Sequence, residues 1–306
     1  MKETLSFQGR NVVRLSCGTA SILIAPQHGA QLLEWSFGGK QIIRWPADAD
    51  WSAPTKIRGG DPILFPFIAR HYVDGVLGKW KDAAGVVRDL PAHGFAREMP
   101  YEVLESIDSL ELRMAITDTE ATRLAYPFAF RFEVVYRLTE TSLEVQFITT
   151  NTGAPGSAPL PYYAGHHFYF NIPAKDRDAW EIDLPFAKAG YRGDDGNPVW
   201  NATPPADTTL GDPDLVDRFH TGPLETTFAA LDRSTGAKIA FDLNPSGNAV
   251  PWHTVTTWTE KPESDFYCIE PWLGLPNAIH HGEGLRLLAP GATEKAVCVL
   301  HYSPGH

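Results

Sequence analysis

Phe130-Arg131-Phe132-Glu133-Val134-Val135-Tyr136-Arg137-Leu138 sets Phe130, Phe132, Val134, Tyr136 and Leu138 on one side and Arg131, Glu133 and Arg137 on the other. A polar Thr139-Glu140-Thr141 follows, and then Leu143, Val145 and Phe147 alternate with Glu144 and Gln146. Side chains of a strand point to opposite faces with period two, so this pattern predicts an antiparallel hairpin with one buried face. The same reading extends outward. Val12–Ser16 pairs with Ser21–Ala25, Leu32–Phe37 with Gln41–Trp45 across Gly38-Gly39, and Tyr101–Ile107 with Leu110–Thr117. Lys238–Leu243, His253–Trp258 and Ala296–Tyr302 read as further strands.

No stretch carries a long, capped helix of period 3.6, so a parallel sheet with crossover helices is excluded. The expectation is an all-β protein, one large antiparallel β-sandwich formed as a single domain over residues 1–306. The Pro-, Gly- and Asp-rich segment from Asp176 to Gly222 reads as excursions over the sandwich surface.

Bulk properties narrow the function classes. Apolar residues make up 43% and charged residues 21%, as in ordinary soluble globular proteins. A formal charge of −11 argues against nucleic-acid or anionic-membrane partners. Met1-Lys2-Glu3-Thr4-Leu5-Ser6-Phe7 lacks the apolar core of a secretory signal, and no run approaches the length of a membrane helix. Three cysteines, Cys17, Cys268 and Cys298, have no metal-like spacing and fit reduced thiols in a cytoplasmic protein.

Two stretches carry candidate chemistry. Phe266-Tyr267-Cys268-Ile269-Glu270-Pro271-Trp272 is an apolar strand ending in a carboxylate, and the proline is expected to open a loop at Glu270. Burying an acid without a partner is costly, so Glu270 calls for a complementary group. In His166-His167-Phe168-Tyr169-Phe170-Asn171, a strand places His167, Tyr169 and Asn171 on one face and His166, Phe168 and Phe170 on the other. Adjacent histidines on a strand cannot ligate one ion, and His280-His281 reads as loop, so no metal site is expected. Trp272, directly after Glu270-Pro271, is the tryptophan placed to pack against the flat face of a bound ligand.

Taken in order, Pro62-Ile63-Leu64-Phe65-Pro66 through Arg70 to Gly75, His93-Gly94, His167-Phe168-Tyr169-Phe170-Asn171, Cys268-Ile269-Glu270-Pro271-Trp272, Pro276-Asn277-Ala278 and Leu288-Ala289-Pro290-Gly291 resemble the aldose 1-epimerase (galactose mutarotase-like) family. The resemblance spans nearly the whole chain. It implies a large β-sandwich, no cofactor, a sugar substrate and interconversion of α and β anomers of an aldose. It further implies Glu270 as catalytic base and protonated His167 as acid. His93 and Arg70 would hold sugar hydroxyls and keep Glu270 ionised, and Asp217 is the nearest match to a sugar-binding aspartate. Two positions depart from the family pattern: His166 and Ala69 each stand where an asparagine is expected. Alternatives are a hexose-6-phosphate mutarotase using Arg58, Arg97 or a lysine near the mouth, for which an acidic chain offers no obvious basic cluster, a non-catalytic carbohydrate-binding sandwich, and a metal-dependent cupin-like enzyme.

Overall fold

The structure is a computed structural model, and it describes residues 1–201, 208–223, 225–247 and 251–306. Two antiparallel sheets dominate it. The larger has eleven strands among the described residues, in the order Lys2–Phe7, Arg10–Cys17, Ala20–Ala25, Gln31–Phe37, Lys40–Ile43, Phe168–Phe170, Tyr267–Trp272, Thr254–Trp258, Arg218–Pro223, Phe186–Arg192 and Pro198–Trp200. The second has nine, running Glu102–Leu104, Glu111–Thr117, Phe130–Leu138, Ser142–Asn151, Thr293–Ser303, Lys238–Asp242, Thr227–Asp232, Trp180–Asp183 and Thr208–Thr209.

The predicted hairpin forms, with Phe130–Leu138 antiparallel to Ser142–Asn151 and Leu138 opposite Leu143. Phe132, Val134 and Tyr136 have no solvent exposure, and their side chains fill the space between the sheets. Phe132 stacks on Phe65 at 4.2 Å, and the Tyr136 hydroxyl donates to Ala30 O at 3.1 Å. Rings reach across the sandwich elsewhere too, Phe170 to Phe241 at 5.8 Å and Trp35 to Tyr302 at 6.4 Å. On the outer face Glu133 bonds both Arg113 and Arg131, and Arg137 bonds Glu111 and Glu144.

The segment from Asp176 to Gly222 differs from expectation. Trp180–Asp183, Phe186–Arg192, Pro198–Trp200, Thr208–Thr209 and much of Arg218–Pro223 are sheet strands, and residues 202–207 of the segment lie outside the described residues. Its strands are short and separated by Pro, Gly and Asp turns, which masks their alternation. His280-His281 closes a short helix, Ala278–His281, rather than lying in a loop. Among the described residues no helix is long and apolar enough to cross a membrane.

The centre of the larger sheet positions the site. Its first five strands follow in chain order, and then Phe168–Phe170 and Tyr267–Trp272 enter from distant parts of the chain. These two pair with Phe168 opposite Ile269, Tyr169 opposite Cys268 and Phe170 opposite Tyr267. One step further in the same register sets His167 against Glu270. Pro271 does not end its strand, contrary to expectation. Its carbonyl accepts the His166 N–H at 3.0 Å, so its amide side faces away from Thr254–Trp258, and that ladder needs no N–H from it.

Candidate active site

His167 Nδ1 lies 3.5 Å from Glu270 Oε1, at the floor of a cavity of about 320 Å³. All six residues singled out in the sequence line this cavity: Glu270, His167, His93, Arg70, Asp217 and Trp272. Glu270 is 1% exposed and its Oε2 has no hydrogen-bond partner among the described residues. The His167 ring stacks on Tyr169 at 4.7 Å and a 4° interplanar angle, because residues two apart on a strand share a face. Trp258 stands edge-on to His167 at 5.4 Å.

Burial acts on both members of the pair. Burial, and then the charges of Asp217 and Asp61, push the Glu270 carboxyl well above the usual carboxylate range. Burial, followed by the cations Arg97 and Arg58, pulls the His167 imidazole down to about 3. Both shifts favour the uncharged forms, a carboxylic acid at Glu270 and a neutral imidazole at His167.

His93 sits at the rim with a left-handed φ of 66°. Its Nδ1 accepts the Ala69 N–H at 3.1 Å and its own N–H donates to Ala69 O at 2.7 Å. That hydrogen bond leaves Nε2 as the protonated nitrogen. Burial, then Arg97, His167, His71 and Arg70, holds the ring well below its usual value, so His93 is a neutral donor. Ala69 has φ of 58°, a conformation an asparagine tolerates better than alanine. Trp272 is only 4% exposed and spends its indole N–H on His166 O at 3.1 Å, so it walls the cavity more than it offers a face.

Several lining residues went unread in the sequence. Gln31, Thr256 and Trp258 contribute polar and aromatic surface, beside Tyr169, which the sequence set on the same face as His167. Four arginines converge here: Arg58, Arg70, Arg97 and Arg192. Arg58 pairs with Glu260 at 2.8 Å, whereas Arg70, Arg97 and Arg192 have no carboxylate partner among the described residues. This corrects the expectation that an acidic chain gathers no basic cluster. The arginines are spread over more than a hundred positions and meet only in the fold. Asp61 also went unread. It is fully buried, bonding His166 Nδ1 at 2.8 Å and the His167 N–H at 2.7 Å.

Among the described residues one group of donors could hold a metal: His167, Cys268 and Glu270 offer ligand atoms within 4.8 Å of one another. A thiol must lose its proton to ligate, and burial together with Glu270 pushes the Cys268 thiol well above its usual value.

A family model described as Aldose 1-epimerase matches residues 11–301. The chain belongs to the aldose 1-epimerase family. It is 23% identical over 254 residues to the chromosomal LacX protein of Lactococcus lactis subsp. lactis, covering 78% of this chain and 80% of that one. A shorter match of 117 residues at 28% identity, 37% of this chain and 35% of the other, is to an Escherichia coli strain K12 protein named "Putative glucose-6-phosphate 1-epimerase". In fold the chain is similar to a galactose mutarotase-like protein from Clostridium acetobutylicum, with a TM-score of 0.82 at 18% identity over 99% of this chain and 98% of that one. The sandwich expected from the sequence is the fold it shares with that protein.

Proposed function

We propose that the protein is a mutarotase that interconverts the α and β anomers of an aldose by acid–base ring opening and closure. The observation that carries this reading is the opposition of His167 and Glu270 across 3.5 Å on the cavity floor. Anomer exchange takes a proton from O1 and gives one to O5; C1–C2 rotates in the open form, and closure on the other face reverses both transfers. A pair holding one proton in total meets that requirement. With Glu270 ionised and His167 protonated, the carboxylate takes the O1 proton while the imidazolium protonates O5. Burial disfavours that charged pair, and sugar hydroxyls would supply partners for Glu270 Oε2 and His167 Nδ1, which have none among the described residues. Each group of this kind contributes ~10²–10⁴-fold. His93 and Arg70 offer donors to ring hydroxyls from the rim, and Asp217 offers an acceptor.

A second observation refines the substrate. Three arginines without carboxylate partners among the described residues, around one small cavity, favour a sugar that carries an anionic group such as a phosphate. Arg97 is the strongest of them, with a buried Nε that has no hydrogen-bond partner among the described residues. Polarimetry on freshly dissolved glucose and galactose, and anomer-exchange NMR on glucose 6-phosphate, test both levels. Acceleration of any of these supports the mutarotase reading, and a higher kcat/KM on the phosphate supports the anionic one. Saturable sugar binding with no exchange on the whole panel rejects catalysis in favour of a carbohydrate-binding sandwich.

A further inference from the structure

Behind the cavity floor lies a second carboxylate–imidazole pair that the proton transfers above leave unused. Both carboxylate oxygens of Asp61 accept hydrogen bonds, Oδ2 from His166 Nδ1 at 2.8 Å and Oδ1 from the His167 N–H at 2.7 Å. Its own N–H donates to Leu32 O at 2.8 Å, which ties it to the strand Gln31–Phe37. A carboxylate that meets only donors acts as an acceptor on both oxygens, which is its ionised form. The His166 ring is boxed by Phe147, Phe168 and Trp252, with centroids 4.3, 4.5 and 5.2 Å away. Its Nε2 is buried and has no hydrogen-bond partner among the described residues. A second proton there would be an unsatisfied donor on a charged buried ring, so the geometry selects the neutral ring with its hydrogen on Nδ1.

The main chain around His167 is held from three sides. Pro271 O accepts the His166 N–H at 3.0 Å, the Trp272 indole donates to His166 O at 3.1 Å, and Asp61 accepts the His167 N–H. Two of these three bonds come from the strand that carries Glu270. The third comes from Asp61, which the family resemblance does not assign.

We propose that Asp61 and His166 are positioning residues for the acid–base pair, the carboxylate anchoring the His167 main chain opposite Glu270 and fixing a negative charge behind it. The inference rests on the acid–base reading of His167 and Glu270. Asp61, Asp217, Tyr169, Cys268 and His167 are the titratable groups facing Glu270, while the cations Arg58 and Arg97 and the His93 ring, 5.6 Å away, face His167. Of the two carboxylates, Asp217 is exposed at the mouth and screened by solvent, whereas Asp61 has no solvent exposure. The dry charge is the one that keeps its effect when a sugar enters.

Asp61→Asn tests this, because it preserves shape and removes the charge. The expected result is a kcat lower by about 10–100-fold, the usual cost of losing a group that orients a functional side chain. KM should change little, and both limbs of the pH–rate profile should move to lower pH. The sign follows from the charge: without a nearby anion the pair binds each of its protons less tightly. A merely structural role would lower the melting temperature and leave both limbs in place. His166→Phe keeps the ring and deletes the donor, so it should also lose kcat. His166→Asn restores an N–H donor toward Asp61 and should recover most of that loss. Unchanged kcat and unmoved limbs in folded Asp61→Asn overturn the proposal. If Asp61→Asn does not fold, equal kcat in His166→Phe and His166→Asn overturns it instead. If the wild type exchanges no anomers at all, the acid–base reading fails by itself. Positioning is then read from the His167 ring titration by NMR in wild type and Asp61→Asn; displaced curves support it and coincident curves overturn it.

Discussion

His167 and Glu270 stand opposite each other one residue beyond the last paired positions of two central strands, with Nδ1 3.5 Å from Oε1. Only 10% and 2% of their side chains reach solvent. Neither group can be moved without moving a strand of the larger sheet, so the site inherits the rigidity of the sandwich. A gap fixed in this way suits a reaction whose two proton positions are the ends of a single O–C–O unit.

Removing the carboxylate should therefore remove the reaction. Glu270→Gln is expected to lower kcat for anomer exchange by ~10²–10⁴-fold, and His167→Ala by a similar factor. Because the two act as one unit, the double variant should be little worse than either single one. Polarimetry with the uncatalysed rate subtracted checks this. Near-wild-type exchange by Glu270→Gln would reject Glu270 as a proton-transfer group.

Buried neutral histidines make the fold acid-sensitive. Burial lowers His71 and His167 to about 3 and His220 to about 4, and it holds His93 well below its usual value. Between the ordinary histidine value of ~6.5 and these lower values, the unfolded chain binds protons that the native protein does not. Stability thus rises with pH across that window, by up to about 1.4 kcal/mol per pH unit for each histidine. The raised Glu270 carboxyl works the other way, since its stabilising contribution is present at low pH and is lost as pH rises through its folded value. Three lowered groups besides His167 outnumber it. Urea midpoints should fall between pH 7 and pH 5, and a midpoint that stays level or rises would contradict the sign.

The hairpin from Phe130 to Phe147 was legible because one face is dry and the other wet, so burial wrote a period of two into the sequence. Glu270 and His167 were legible for a related reason: each is a polar group interrupting an apolar strand. Asp61 was not, because it follows Arg58-Gly59-Gly60 in a stretch that reads as loop, and its partners lie more than a hundred positions away. Nor was the arginine cluster. Net charge sums over the whole surface, whereas a cavity samples four side chains that only the sheet order brings together. The strand through Pro271 was misread because a missing N–H breaks a ladder only on the side where that N–H would point.

The basic wall gives a substrate-dependent expectation. Arg97→Met should raise KM for glucose 6-phosphate by about 10–100-fold, the loss of one charge-assisted hydrogen bond worth about 1.5–3 kcal/mol. KM for unphosphorylated glucose should shift much less. Arg97 is the larger of the two cationic influences that lower His167, so the variant should also move the acid limb of the pH profile upward. Equal KM changes on both sugars would show that Arg97 does not read the anionic group.

A backbone contact at the cavity rim offers a prediction independent of any chemistry. Gly94 has φ of 72° and bridges Phe65, and a Cβ placed on it would lie 2.1 Å from Phe65 O and 2.5 Å from its carbonyl carbon. Both obstacles are backbone, in the apolar segment whose Phe65 ring stacks on Phe132, so neither can swing aside. Gly94→Ala should cost more than about 3 kcal/mol, combining left-handed strain with a forced main-chain shift. Gly85 supplies the comparison: its φ is 82° but nothing lies within 4 Å of where an added methyl would sit, so Gly85→Ala should cost only the strain, about 1–2 kcal/mol. The shift in Gly94→Ala would be felt by His93 and Arg97 on either side of it, so any folded fraction should also lose exchange activity. Urea denaturation of both variants separates the two costs, and coincident midpoints would show that close packing at Gly94 does not hold the rim.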